Sequence, residues 1–234
     1  MKVVAVSPHL DDAAFSVGGA LAVLADRGHD VTVVTCFTGS VTAPTGFALA
    51  CQTDKGLAPG VDYMALRRAE DNAALAVLGA TPLQLPLLEA PHRGYDSAPA
   101  LFAGLRADDL VWHDLVRHLS DLEADLWLAP QGLGSHVDHQ QVVRAVAALH
   151  QPTAWWRDAP YVLRQPDAAA SPDLPEGLTP LVLPADRDRR ADACACYATQ
   201  LGFQFGGPEQ LRQALAGLDE VVLADAGAAA MLQP

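Results

Sequence analysis

The feature that most constrains this chain lies in its first 37 residues, where a strand, a helix and a second strand follow one another. Residues 2–7 (KVVAVS) form a short apolar run, residues 12–27 an Ala-rich stretch interrupted only by Gly18-Gly19, and residues 31–37 (VTVVTCF) a run rich in β-branched side chains. Two buried strands joined by a helix of this length form a βαβ unit, with parallel strands and a right-handed crossover. The same alternation continues. Residues 63–78 read as a helix with Gly79 as its stop, 82–87 as a strand, 108–122 as a helix, 125–129 as a buried strand and 138–150 as a helix. Short strands are expected at 153–156, 181–183 and 220–224, and helices at 187–201 and 208–216. This order predicts a three-layer α/β/α, Rossmann-like fold with a mostly parallel central sheet, built as a single domain over 1–234. Residues 38–62 lack a sustained period and read as a long loop of the kind that lids or lines a site. The Pro- and Ala-rich stretch 165–180 reads as a surface excursion.

Composition narrows the partners. With 28 acids against 15 bases the formal charge is −13, which repels polyanions and anionic membrane surfaces at long range. Half of the residues are hydrophobic and only 18% charged, too apolar for a disordered chain. The residues after Met1 lack the layout of a signal peptide, and no apolar run approaches the roughly 20 residues of a spanning helix. Cys36, Cys51, Cys194 and Cys196 match neither a zinc knuckle nor a redox pair. A reduced, cytoplasmic protein is expected.

In open parallel sheets, ligands bind beyond the carboxyl ends of the strands. Two polar clusters fall at such ends: Pro8-His9-Leu10-Asp11-Asp12 after the first strand, and Gly134-Ser135-His136-Val137-Asp138-His139 after the strand ending near residue 129. Imidazole and carboxylate donors suit zinc or a neighbouring divalent metal, and a catalytic zinc takes three protein ligands and leaves one position open. His9, Asp12 and His139 would supply that set. Taken singly, each cluster has a plainer reading. Asp11 or Asp12 could cap a helix N-terminus, and His136 and His139 could be surface residues. Their coincidence at two strand ends of one sheet favours a site.

These residues resemble the LmbE-like, or PIG-L, family of metal-dependent N-deacetylases. The first family motif matches Pro8-His9-Leu10-Asp11-Asp12 followed by Gly18-Gly19, and the second matches His136-Val137-Asp138-His139. Arg67-Arg68-Ala69-Glu70 with Leu78-Gly79 is similar to the family's Arg-x-x-Glu helix, and Tyr197-Ala198-Thr199-Gln200 to its late Tyr-x-Ser-Gln element. The resemblance implies that His9, Asp12 and His139 hold zinc or another divalent transition metal. It implies Asp11 as the general base that activates water, and His136 as the residue that assists the oxyanion or the leaving amine. Asp138 joins this catalytic group by orienting a histidine. Arg67 matches a substrate-contacting arginine, and Glu89 falls where relatives carry an Asp that contacts the sugar. Position 13 is Ala where many relatives have Glu.

The function implied is hydrolytic removal of an N-acetyl group from a small N-acetylated sugar such as an N-acetylglucosamine conjugate. The partners expected are that sugar and, in a homo-oligomer, further copies of this chain, with no nucleic acid and no membrane. Hydrolysis of another small amide, such as a thiol conjugate, and metal or sugar binding without turnover are the alternatives. His29, His92, His113, His118 and His150 are expected outside the site. Trp155, Trp156 and Tyr161 read as core, with a sugar-stacking wall as the alternative. Gly18-Gly19 lacks the spacing of a phosphate loop and reads as a point of close helix packing.

Overall fold

Side-chain alternation along the strands divides the apolar residues between two faces of one sheet. The computed structural model describes residues 1–233. Its strands are β1 (Lys2–Ser7), β2 (Asp30–Thr35), β3 (Thr81–Gln84), β4 (Leu126–Pro130), β5 (Thr153–Trp156), β6 (Thr179–Val182) and β7 (Val221–Ala224). They form one sheet in the order β3-β2-β1-β4-β5-β7-β6. The first five are mutually parallel, and β7 runs antiparallel between β5 and β6. The helices are α1 (Asp12–Asp26), α2 (Gly46–Thr53), α3 (Tyr63–Leu78), α4 (Val111–Ser120), α5 (Val137–Ala148), α6 (Tyr161–Arg164), α7 (Arg187–Ala195), α8 (Ala198–Gln204), α9 (Pro208–Ala216) and α10 (Ala226–Leu232).

Successive strand residues point to opposite faces. Val3 and Ala5, Leu126 and Leu128, and Ala154 and Trp156 pack with α1, α3, α7 and α9 on one face. Val4 and Val6, Trp127 and Ala129, and Trp155 pack with α4 and α5 on the other. The expected α/β/α layering with a mostly parallel sheet is the observed one. Its topology also places the site. β1 feeds α1 onto one face and its neighbour β4 feeds α5 onto the other, so their connections diverge and open a crevice at the carboxyl ends of both strands. No helix among the described residues is long and apolar enough to cross a membrane.

Three local expectations change. Residues 38–62 are not loop throughout, because α2 forms within them. Residues 187–201 do not form one helix. α7 ends before Tyr197, whose hydroxyl donates to Asp71 Oδ1 at 2.9 Å. α8 then starts on a new axis, where the amide and hydroxyl of Thr199 donate to Glu70 at 2.8 and 2.7 Å. The excursion 165–180 is pinned at Ser171, whose amide donates to the Gln131 carbonyl at 2.8 Å and whose hydroxyl donates to Gln140 at 2.6 Å.

Gly18-Gly19 sits inside α1 at a close approach, as its sequence context suggests. Glu220 is 2% exposed and accepts the amides of Gly19 and Ala20 at 3.0 and 2.7 Å. A Cβ on Gly19 would lie 2.7 Å from Glu220 Oε1 and 2.8 Å from the Asp186 carbonyl, whereas one on Gly18 would meet Arg190 Cγ at 3.4 Å. Gly19→Ala is therefore expected to destabilise the fold by about 1–3 kcal/mol through overpacking against backbone. Gly18→Ala, which adds helix propensity, should be close to neutral. Urea titration of both variants checks this, and equal midpoints for the two would contradict the packing argument.

Candidate active site

The crevice brings both clusters together. The turn after β1 closes on itself: Ser7 Oγ donates to the His9 carbonyl at 2.7 Å and accepts the Ala13 amide at 3.0 Å, and the His9 amide donates to Asp12 Oδ2 at 2.9 Å. Neither aspartate is used as a helix cap. The Asp11 side chain accepts no helix amide, and Asp12 turns back onto His9 and sits at the positive end of α1. After β4 the chain turns through Gly132 and Gly134, both left-handed at φ 73° and 80°. A Cβ on Gly134 would lie 2.7 Å from the Tyr161 ring. His136 follows as the N-cap of α5, its Nδ1 accepting the Asp138 amide at 3.2 Å.

Buried carboxylates orient the two histidines expected to be ligands. His9 Nε2 lies 2.9 Å from Asp138 Oδ2, and His139 Nδ1 lies 2.6 Å from Asp158 Oδ1. In a neutral imidazole, a proton shared with a carboxylate on one nitrogen leaves a lone pair on the other. Those free nitrogens converge: His9 Nδ1 and His139 Nε2 each lie 3.2 Å from Asp12 Oδ2. His139 Nε2 is buried without a hydrogen-bond partner. The three ligand atoms lie within 4.8 Å of one another. Two imidazole nitrogens and a carboxylate oxygen, lone pairs inward, fit a divalent transition metal.

The surroundings set the charges. Burial opposes charge on His139, but Asp12 and Asp158 outweigh it and raise the imidazole to about 9, so a metal bound at Nε2 would take the place of a proton there. Burial pushes the Asp11 carboxyl up to about 7, against the pull of Arg67. Burial, reinforced by the charge of His9, lowers His136 to about 3, so this ring is neutral at pH 7. With Nδ1 accepting an amide, its proton resides on Nε2, where it is available to a ligand. Burial also opposes charge on Asp138, yet Arg93 and His9 hold it well below the usual carboxylate range.

Arg67 and Glu89 lie beside Asp11 but face each other. Arg67 Nη1 donates to Glu89 at 2.5 Å, and Nη2 lies 3.6 Å from Asp11 Oδ2. The expected substrate arginine thus already holds two of the chain's own carboxylates. Phe102, 44% exposed, meets His136 edge-on at 5.3 Å and Tyr161 at 6.1 Å, and Tyr161 in turn meets His139 at 5.3 Å. Tyr161 therefore lines the site, whereas Trp155 and Trp156 are core.

Two further groups belong to the site that local sequence patterns do not single out. Asp158 stands two residues beyond β5, so the strand-end rule that marks His9 applies to it as well. Arg93, which donates to Asp138 Oδ1 at 2.7 Å, lies in an irregular segment after β3, where no spacing marks it.

Known proteins share this arrangement of chain. Residues 4–150 match the PIG-L family, described as GlcNAc-PI de-N-acetylase. The 2'-N-acetylparomamine deacetylase of Streptomyces fradiae is 33% identical over 165 residues, which are 67% of this chain and 56% of that protein. The chain thus spans little more than half the length of that relative. The crystal structure of the A40926 pseudoaglycone deacetylase Dbv21 superposes with a TM-score of 0.77 at 31% identity, over 95% of this chain and 96% of that one. The zinc inhibited form of the teicoplanin deacetylase Orf2 gives a TM-score of 0.77 at 25% identity, over 95% of this chain and 97% of that one. The family match covers more than half of the chain and contains both His/Asp clusters: this chain belongs to the PIG-L family.

Proposed function

We propose that this chain is a zinc-dependent hydrolase that removes an acetyl group from the nitrogen of a small N-acetylated sugar. The observation that carries the reading is the convergence of His9 Nδ1, Asp12 Oδ2 and His139 Nε2, the last a buried nitrogen without a partner, beside the carboxyl of Asp11. Relatives named as deacetylases of an N-acetylated aminoglycoside and of glycopeptide antibiotics support the same chemistry.

His9, Asp12 and His139 would hold the metal. When bound, a zinc ion polarises the amide carbonyl and lowers the pKa of water to about 7. The remaining work falls to the chain. Asp11, held near neutrality by burial, accepts a proton from the attacking water and passes it to the departing nitrogen. The water oxygen stays on the acetyl carbon, the C–N bond breaks, and acetate and a free amine leave. His136 donates from Nε2 to the oxygen that becomes negative in the tetrahedral intermediate. Asp138 and Asp158 keep His9 and His139 in the tautomers that aim their lone pairs inward. Arg67 holds Asp11 and Glu89, and in this reading the Arg67–Glu89 pair meets sugar hydroxyls. Phe102 and Tyr161 offer a ring wall suited to the apolar face of a pyranose.

Acetate release from a panel of N-acetylated sugars, before and after dialysis against a chelator, tests the reading. Activity should vanish with the metal and return with Zn2+; full activity in metal-free protein would overturn it. Asp11→Asn should retain metal and lose about 10²–10⁴-fold in kcat, and wild-type turnover would remove Asp11 as the base. Asp158→Asn should weaken zinc about 10–100-fold in a chelator competition. Unchanged affinity would mean that Asp158 does not orient a ligand.

A further inference from the structure

The chain has two lysines, Lys2 and Lys55. Lys2 pairs with Glu123 at 2.6 Å. Lys55, half-buried just beyond α2, has no carboxylate oxygen within 4.0 Å of its amine among the described residues. We infer that Lys55, with the rings of Tyr63 and Phe203, forms a subsite beside the Arg67–Glu89 pair that takes an anionic group carried on a flat, apolar aglycone of the sugar. The inference deepens the deacetylase reading by naming a class of substrate, and it rests on that reading.

The placement of the amine carries it. Lys55 Nζ uses one of its three N–H donors on the Cys51 carbonyl, at 2.7 Å. Its other neighbours are aromatic: it lies 5.3 Å from the centre of the Tyr63 ring and 4.9 Å from that of Phe203. A ring face attracts a cation but carries no net charge to neutralise it. Burial and the neighbouring charge of Arg67 lower the Lys55 ammonium below its usual range. Arg67 is treated differently. Its guanidinium lies 5.5 Å from the centre of the same Tyr63 ring, but Glu89 and Asp11 balance its charge. Tyr63 therefore links a compensated cation to an uncompensated one, and Gln200 holds its hydroxyl at 2.8 Å. The row of contacts from Glu89 through Arg67, Tyr63 and Lys55 ends at Phe203, which is 64% exposed. A cleft lined by Cys51, Tyr63, Glu89 and His92 adjoins this row. An open apolar ring with an unpaired ammonium against it suits a flat group that bears a negative charge. The rings stack, and the ammonium takes the charge. The formal charge of −13 does not oppose this. Exposed charges farther off than about 8–10 Å are largely screened at ordinary salt, so a single anion at this spot responds first to Lys55.

Two ligands that differ only in charge test the inference: the para-carboxyphenyl and para-carbamoylphenyl glycosides of N-acetylglucosamine. Calorimetry on the zinc-loaded Asp11→Asn chain gives their affinities without interference from turnover. The carboxylate should bind about 10-fold more tightly than the carboxamide, and added salt should shrink that ratio. Lys55→Met and Lys55→Gln in the same background should each bring the ratio to about one, whereas Lys55→Arg should keep it. Phe203→Ala should weaken both aryl glycosides about 3–10-fold relative to the methyl glycoside. A ratio of about one in the parent, a ratio of about 10 in folded Lys55→Gln, or no binding of either aryl glycoside would overturn the proposal. If neither neutral variant folds, labelling of Lys55 by an amine-acetylating reagent, read by peptide mass, decides it. Protection by the carboxylate and not by the carboxamide supports the subsite, and equal labelling overturns it. Acetate release by the zinc-loaded wild-type chain is measured in parallel on the methyl glycoside. No release together with a Lys55-dependent ratio removes the deacetylase reading and keeps the anion subsite, while release with a ratio of about one does the reverse.

Discussion

Charge buried without a partner is costly, and the crevice between β1 and β4 is organised by that constraint. Asp11, Asp12, Asp138, His139 and Asp158 are all buried there, with His136 and Arg67. Each finds a partner of opposite sign or a backbone amide, although two of their buried nitrogens, Arg67 Nε and His139 Nε2, lack a hydrogen-bond partner. His139 Nε2 faces Asp12 Oδ2 and Nδ1 of His9. The pairs also sort the groups by task. Asp138 and Asp158 each hold one histidine nitrogen, and their other contacts go to Arg93 and the Ala90 amide and to the Leu133 amide, so both are committed to orientation. Asp11, whose nearest guanidinium lies 3.6 Å away and is shared with Glu89, accepts no histidine proton, and burial pushes its carboxyl up to about 7.

The sheet makes this crowding possible. Because α1 and α5 leave neighbouring strands on opposite faces, two polar turns meet where no apolar layer covers them. The helices behind those turns are then locked by polar contacts that belong to the family motifs. Glu70 on α3 receives Thr199 of α8, and Gln200 donates to Tyr63 at 2.8 Å. The Arg-x-x-Glu and Tyr-x-Thr-Gln elements thus do two jobs, since Arg67 of the same helix turn reaches Asp11 and Glu89 while Glu70 fastens the carboxyl-terminal helices. A residue can belong to a functional motif and still act mainly on packing.

Much of this architecture is legible in the amino-acid sequence. The β-branched runs of β1 and β2, the apolar run of β4 and the Gly79 stop of α3 are local signals, and each element stands within a few residues of where its pattern places it. The helix within 38–62 is not legible, because it is short and lacks a clean apolar stripe. The break at Tyr197 is equally hidden, since its cause is a hydroxyl bond to Asp71, 126 residues earlier in the chain.

The sequence by itself determined the alternation of strands and helices, and therefore the fold class. It also determined that two His/Asp clusters stand at strand ends, because both follow from neighbours along the chain. Only the tertiary structure decided that β1 and β4 are adjacent, which nitrogen of His9 and of His139 faces inward, that Asp158 and Arg93 belong to the site, and that Arg67 is held by Asp11 and Glu89. Those facts depend on which strands pair and on the need to partner every buried charge. Both are properties of residues brought together across the fold, and no local spacing records them.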